Sequence, residues 1–116
     1  MSKRLANSYP HKVLVVDDDD VMREVVEKFL LQREYDVVST DSCEAAEDII
    51  NQNKDEILAI VLDRNMPKMN GLEFTKKLKE DDKLSGVPII MLTGSDSPEE
   101  IKQGIDAGVF YYLTKP

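Results

Sequence analysis

Cysteine, histidine and long apolar runs are all scarce in this chain, and each scarcity excludes a class of protein. Cys43 is the only cysteine, which excludes an internal disulfide and fits a reducing compartment. His11 is the only histidine, so the chain lacks the His and Cys ligands that a zinc centre needs. No apolar run approaches the roughly 20 residues that span a bilayer. We therefore expect a cytoplasmic protein with no membrane segment.

Basic residues are also fewer than acidic ones. The 15 Lys and Arg residues face 23 Asp and Glu, which gives a net charge of -8 and disfavours nucleic-acid binding by this segment. Residues 1–10 carry Lys3 and Arg4 but no apolar run behind them, so they do not resemble a secretory signal. We predict a flexible arm at residues 1–11 and a single domain at residues 12–116.

Short apolar runs alternate with helical patterns along the whole domain. The runs predict five strands, at residues 12–16, 35–40, 57–62, 89–92 and 109–113. Asp41 with Glu44 is predicted to open the second helix. Ser97 and Pro98 are predicted to open the fourth, which Gly108 ends. Such alternation predicts an α/β fold whose parallel sheet is covered by helices on both faces.

Acidic residues follow two of these strands. Asp17 and Asp18 come directly after the first strand, and Asp63 follows the third. With strand order 2-1-3-4-5 these strands are neighbours, so the three carboxylates meet at one rim of the sheet. Carboxylates this close repel one another and need a cation, and an all-oxygen site suits Mg2+. The simpler alternative for Asp63 is a turn residue, and Asp19 or Asp20 is expected to cap the first helix.

Two further strand ends add a hydroxyl and an ammonium group to this rim. Thr93 comes directly after the fourth strand, and Lys115 lies two residues after the fifth. With a nucleophilic carboxylate and a metal, these groups are what phosphoryl transfer to Asp63 requires. Each residue also has an ordinary alternative, Lys115 as an exposed lysine, Thr93 as a cap and Tyr112 as a core aromatic. These alternatives do not account for the joint spacing.

Four motifs carry a resemblance to a known family. They are VLVVDDD at residues 13–19, LDRNMPKMNG at 62–71, MLTG at 91–94 and YLTKP at 112–116. In this order and spacing the sequence resembles a response-regulator receiver domain of bacterial two-component signalling, of the chemotaxis type. The resemblance implies a flavodoxin-like, doubly wound, five-stranded parallel sheet of order 2-1-3-4-5.

The resemblance also implies which residues carry the chemistry. Asp63 would be the phosphoacceptor. Mg2+ would be bound by Asp18, Asp63 and the backbone carbonyl of Asn65, with Asp17 helping through a water molecule. The protein would accept a phosphoryl group on Asp63 and then switch a partner-binding surface.

Three residues near the last two strands have implied roles in holding and reporting that group. Thr93 and Lys115 would hold the phosphoryl oxygens. Thr93 would then move toward the phosphoryl group, and Tyr112 would fill the space that Thr93 leaves. By the same resemblance the peptide bond between Lys115 and Pro116 would be cis.

The donor is expected to be another protein. His11 precedes the first strand and is expected to be a surface residue rather than a relay group. A sensor histidine kinase or a phosphotransfer protein would therefore supply the phosphohistidine. The downstream target or output domain would be a further partner.

Two other functions compete with this one. A Mg2+-dependent phosphohydrolase with an Asp nucleophile usually carries a second Asp two residues later, and Asn65 stands there instead. We therefore expect a protein that catalyses only its own phosphorylation and dephosphorylation, not an enzyme. The second competitor is a receiver-like binding module that is not phosphorylated, which the joint presence of the site residues disfavours.

A receiver of this family continues with a fifth helix, and the 116 residues contain none. Half of one sheet face should therefore be bare, near Val13, Val15, Phe110 and Tyr112. We expect either a longer natural chain or a homodimer that covers this face.

Overall fold

A computed structural model of the chain describes residues 11–66, 70–94 and 97–115. Its five strands form one parallel sheet in the order β2-β1-β3-β4-β5, which confirms the predicted order. The elements are β1 Lys12–Val16, α1 Asp20–Gln32, β2 Asp36–Thr40, α2 Cys43–Gln52, β3 Ile57–Asp63, α3 Gly71–Lys79, β4 Ile89–Thr93, α4 Pro98–Ala107 and β5 Tyr111–Thr114. Within these ranges no helix is both long and apolar enough to cross a bilayer. Residues 1–10, which include nearly all of the predicted arm, lie outside the described residues.

The sheet buries apolar side chains on both of its faces. Residues 13–16 are all buried, as a central parallel strand requires. Because side chains alternate across a strand, Leu14 and Val16 face one way and Val13 and Val15 the other. The first pair joins a large core cluster with residues of α2 and α3. The second pair joins a smaller cluster that α1 covers.

Local hydrogen bonds set where the helices begin. The carboxylate of Asp19 accepts from the backbone amides of Val21 and Met22, so Asp19 caps α1 as predicted. α4 begins after Ser97 with a proline in its first turn, also as predicted. The predicted start of α2 at Asp41 is wrong. Ser42 is the cap, because its backbone is extended and its hydroxyl accepts from the amide of Ala45.

The starts of two strands also differ from the prediction, and β3, β4 and β5 each end one residue later than predicted. β5 begins at Tyr111 rather than at Val109, because the amide of Val109 donates to the carbonyl of Gly104 and belongs to the end of α4. Gly108, with a φ of 108°, makes that left-handed helix end. β2 begins one residue later than predicted, because the amide of Tyr35 donates back to Leu30 at the end of α1.

One stretch of the sheet face beside α1 is open. A groove of about 280 Å³ is lined there by apolar residues of α1, β3, β4 and β5: Val25, Val26, Phe29, Leu30, Val61, Ile90, Leu92 and Leu113. The predicted location of the bare surface was only partly right. Val13 and Val15 lie on this face but are covered, and Tyr112 packs on the opposite face. Phe110 is exposed but precedes β5 and does not line the groove.

Candidate functional site

The carboxyl ends of four strands bring the predicted site residues to one rim. Asp17 directly follows β1, and Asp63 and Thr93 are the last residues of β3 and β4. Lys115 follows β5, and its amide donates to the carbonyl of Thr93 at 2.6 Å. The parallel register, in which Asp63 pairs with Leu92, places these strand ends side by side. Open parallel sheets bind ligands at this rim.

Three carboxylates form an acidic cluster there. Oxygen atoms of Asp17, Asp18 and Asp63 all lie within 4.8 Å of one another. Asp17 is 0% and Asp63 3% exposed, whereas Asp18 is open to solvent. Buried like charges at this separation repel strongly, and a divalent cation relieves that repulsion. A donor set of oxygens alone, with one exposed member, fits a hard ion that keeps water ligands, such as Mg2+.

The two side-chain oxygens of Asp17 have different surroundings. Its Oδ1 accepts from the amide of Asp19 at 2.9 Å, and its carbonyl accepts from Nη1 of Arg23 at 2.7 Å. Its Oδ2 is buried and makes no hydrogen bond to the described residues, and the ammonium of Lys115 lies 3.5 Å away. A buried carboxylate oxygen that has an ammonium nearby but accepts no hydrogen bond is suited to a further cation or to its water shell.

Lys115 is the cation that the protein itself brings to the cluster. Its Nζ lies 3.3 Å from Oδ1 of Asp63 and 3.5 Å from Oδ2 of Asp17. Burial alone would lower the pKa of Lys115, but the charges of Asp63 and Asp17 outweigh burial and raise it. The lysine therefore stays protonated beside the acids, where it can also neutralise an added anion.

Asp63 itself carries the most perturbed carboxyl of the site. Burial raises its pKa, and the neighbouring charge of Asp17 adds to that rise. A hydrogen bond from the amide of Asn65, at 3.2 Å, and the ammonium of Lys115 act in the opposite direction. The net result is a pKa of about 6. A raised pKa beside a specific charge partner at a strand end is typical of a functional carboxylate.

The remaining predicted residues lie at or near the same rim. Thr93 is fully buried, and Asn65 is exposed on the loop that follows β3. Tyr112 lies three residues before Lys115, and its hydroxyl accepts from Nη1 of Arg64 at 3.1 Å. The cis bond predicted before Pro116 concerns a residue outside the described ranges.

Sequence reasoning missed two residues that shape the site. Arg64 is only 7% exposed, although a charged residue that opens a loop is normally solvated. A Cβ at Gly71 would lie 2.5 Å from the carbonyl oxygen of Asp63 and 2.8 Å from the Cα of Arg64. Gly71 therefore lets α3 approach the end of β3. The amide of Gly71 also donates to the carbonyl of Arg64 at 2.7 Å. The sequence marks Gly71 only as a loop residue and contains no signal for the burial of Arg64.

The sheet order and the acidic rim define a flavodoxin-like α/β domain with a candidate cation site. A family model described as the response regulator receiver domain matches residues 13–116. A chemotaxis protein CheY homolog of Campylobacter jejuni is 37% identical over 106 residues, which are 90% of this chain and 81% of the relative. The response regulator MprA of a Mycobacterium species is 41% identical over 110 residues, or 92% of this chain and 45% of that protein.

Solved structures of response regulators also resemble this chain in fold. The chemotaxis response regulator CheY4 of Vibrio cholerae superposes with a TM-score of 0.84 at 33% identity, over 92% of this chain and 88% of that one. A response regulator from Chloroflexus aurantiacus gives a TM-score of 0.85, also at 33% identity, over 92% and 86% of the two chains. The chain belongs to the response-regulator receiver family of two-component signalling, which confirms the resemblance read from its four motifs.

Proposed function

We propose that this receiver domain accepts a phosphoryl group on Asp63 and uses it to switch a partner-binding surface. The observation that carries the proposal is the meeting of Asp63 with Asp17, Asp18 and Lys115 at the carboxyl rim. An isolated turn aspartate would have neither two acidic neighbours nor a lysine 3.3 Å from its carboxylate. The domain spans residues 12–116 in this proposal.

The nucleophile is a carboxylate oxygen of Asp63. This oxygen attacks the phosphorus of a phosphohistidine, the P–N bond breaks, and the imidazole nitrogen leaves with the electron pair. Asp63 then carries an acyl phosphate. The donor is a sensor histidine kinase or a phosphotransfer protein, and the same site later hydrolyses the acyl phosphate. The protein is therefore not an enzyme for external substrates, in line with Asn65 in place of a second acid.

The other rim residues stabilise the charge of the transferred group. Asp18, Asp63 and the backbone carbonyl of Asn65 would hold Mg2+, with Asp17 acting through water. The ion, when bound, neutralises the negative charge that builds up on the phosphoryl oxygens. Lys115, protonated beside the acids, binds one of those oxygens. Thr93 donates its hydroxyl to another, and its movement is passed on to Tyr112, which completes the switch.

Labelling with a small phosphodonor tests the proposal. Wild-type protein incubated with acetyl phosphate and Mg2+ should gain one phosphoryl group by mass spectrometry, and Asp63→Asn should gain none. Asp18→Asn should need more Mg2+ for the same labelling. Asp55→Asn, which changes an acid that is 87% exposed, is the matched control and should label as the wild type does.

Two results would contradict the proposal. Labelling that persists in Asp63→Asn would show that another residue is the phosphoacceptor. Absence of labelling in the wild type at every Mg2+ concentration would favour a receiver-like binding module that is not phosphorylated. A cytoplasmic location is part of the proposal, and cell fractionation would test it.

A further inference from the structure

The side chain of Arg64 joins the end of β3 to α4 and β5. Its Nη1 donates to the backbone carbonyl of Glu100 at 2.9 Å and to the hydroxyl of Tyr112 at 3.1 Å. Its Nη2 donates to Oε1 of Gln103 at 2.6 Å. All three acceptors are neutral, so the guanidinium is a buried charge held by hydrogen bonds to two separate elements.

The backbone of Arg64 is fixed at the phosphoacceptor. Its amide donates to the carbonyl of Leu92 in β4 at 2.8 Å, and its carbonyl accepts from Gly71 at the start of α3 at 2.7 Å. Its neighbour along the chain is Asp63. A displacement of Asp63 is therefore passed to the base of the Arg64 side chain through a single peptide group.

The ring of Tyr112 is held against α4 by a second feature. A Cβ at Gly104 would lie 2.7 and 2.8 Å from two carbon atoms of that ring. The ring therefore occupies space that any side chain at position 104 would fill, and it packs on the large core cluster. The position of the Tyr112 ring therefore depends on α4, which packs against the ring, and on Arg64, which donates to the hydroxyl.

One residue of α4 that accepts from Arg64 also carries an unsatisfied side-chain oxygen. Oε1 of Glu100 is buried and has no hydrogen-bond partner among the described residues. It belongs to the residue whose carbonyl Arg64 already binds. A move of the guanidinium from the tyrosine hydroxyl to this carboxylate oxygen would give the two sets of partners that a two-state element requires.

We propose that Arg64 is a positioning residue that couples the occupancy of Asp63 to the placement of Tyr112 and α4. In the unphosphorylated protein Arg64 holds the Tyr112 hydroxyl and α4 in one arrangement. A phosphoryl group brings about 1.5 to 2 negative charges to the adjacent residue, and the guanidinium then exchanges the tyrosine hydroxyl for other acceptors. This inference rests on the proposed function and adds to it the regulation of that site.

The first test concerns the unphosphorylated protein alone. Arg64→Met keeps the length and apolar stem of the side chain but removes its donors. Hydrogen exchange of the α4 amides should become about tenfold faster, as expected for the loss of hydrogen bonds to a charged group. Tyr112→Phe should accelerate exchange in the wild-type background but not in the Arg64→Met background, because the two changes remove the same bond.

The second test adds acetyl phosphate and Mg2+, with labelling of Asp63 measured in the same samples. In the wild type, phosphorylation should change the exchange of α4 and the NMR signals of the Tyr112 ring. In Arg64→Met, labelled to the same level, these changes should shrink by a factor of about five or more. Arg64→Lys keeps the charge but not the forked donor geometry and should restore only part of the response.

Lys54→Met is the matched control, because it removes a partly buried cation that pairs with Asp81 at 2.7 Å, away from Arg64 and Tyr112. It should respond to phosphorylation as the wild type does. A full Tyr112 and α4 response in labelled Arg64→Met would overturn the coupling and leave the proposed function intact. A wild type that is never labelled would overturn both the proposed function and the coupling. In that case the first test would still show whether Arg64 holds Tyr112 and α4 in the unphosphorylated protein.

Discussion

At the scale of single residues, we expect the ionised carboxylate of Asp63 to lower the stability of the cation-free fold. Its pKa of about 6 lies above the ordinary value of 3.8, so the folded protein binds a proton in this pH range that the unfolded chain releases. The free energy of unfolding therefore falls as pH rises from about 4 to 6, and the full penalty is present above that window. The proposed binding of Mg2+ to the folded site should reverse the penalty.

The first prediction compares Asp63→Asn with the wild type in urea unfolding without divalent cations. The variant should be more stable by about 1 to 3 kcal/mol at pH 7.5, and the difference should vanish near pH 4. Asp55→Asn, an exposed acid, should show no such pH-dependent difference. A stability difference that is independent of pH would mean that the charge of Asp63 is already compensated.

The second residue-scale prediction concerns the switch. Thr93 is fully buried as the last residue of β4, the strand that pairs with the end of β3 at Asp63. Thr93→Ala should leave Asp63 able to accept phosphate but reduce the effect of phosphorylation on partner affinity. Binding of the partner to phosphorylated and unphosphorylated protein is the measurement. An unchanged ratio of the two affinities in Thr93→Ala would exclude this route.

The sequence was informative about the site where residues follow strand ends. Asp17, Asp63 and Lys115 were predicted together because parallel strands deliver their carboxyl ends to one rim. Arg64 was not predicted, because its burial depends on acceptors that α4 and β5 supply from distant parts of the chain. A charged side chain in a loop is predicted to be exposed to solvent unless its tertiary partners are known.

At the scale of elements, the approach of α3 to β3 is decided by one glycine. An added Cβ at Gly71 would meet the backbone of Asp63 and Arg64, which cannot rotate away as a side chain can. Gly71→Ala should therefore destabilise the fold by about 1 to 3 kcal/mol and weaken Mg2+ binding by displacing Asp63. Gly86→Ala should be neutral or slightly stabilising, because a Cβ added at Gly86 would meet no other residue's atoms within 4 Å. Urea unfolding and Mg2+ titration of both variants check this, and equal stabilities would contradict the role of Gly71.

The elements were predicted in type and order, but less well at their ends. Apolar runs and caps such as Asp19 and Ser97 located most strands and helices, because those signals are local. The start of β5 was wrong because the amide of Val109 is taken by the end of α4. Such competition for one backbone donor is decided by geometry that the pattern of apolar residues does not contain.

At the scale of the whole molecule, the apolar groove between α1 and β5 is the exposed surface that self-association would bury. Phe29 and Leu113 remain 52% and 42% exposed at its edges. We expect the 116-residue chain to self-associate through this groove, with light scattering and a melting temperature that both rise with protein concentration. Leu113→Lys should suppress that dependence, whereas Leu58→Lys, at a half-exposed residue outside the groove, should not. A monomer with a concentration-independent melting temperature would show that the existing core suffices.

Asp63 and Arg64 are neighbours in sequence, yet one side chain enters the acidic cluster and the other reaches α4 and Tyr112. The proposed phosphoacceptor and the residue proposed to couple it to α4 and Tyr112 are thus separated by one peptide bond. On this proposal, a substitution at position 64 changes how Tyr112 and α4 respond to phosphorylation, while every residue that would bind the phosphoryl group is kept. The readout of such a domain can therefore evolve at a single codon, independently of its chemistry.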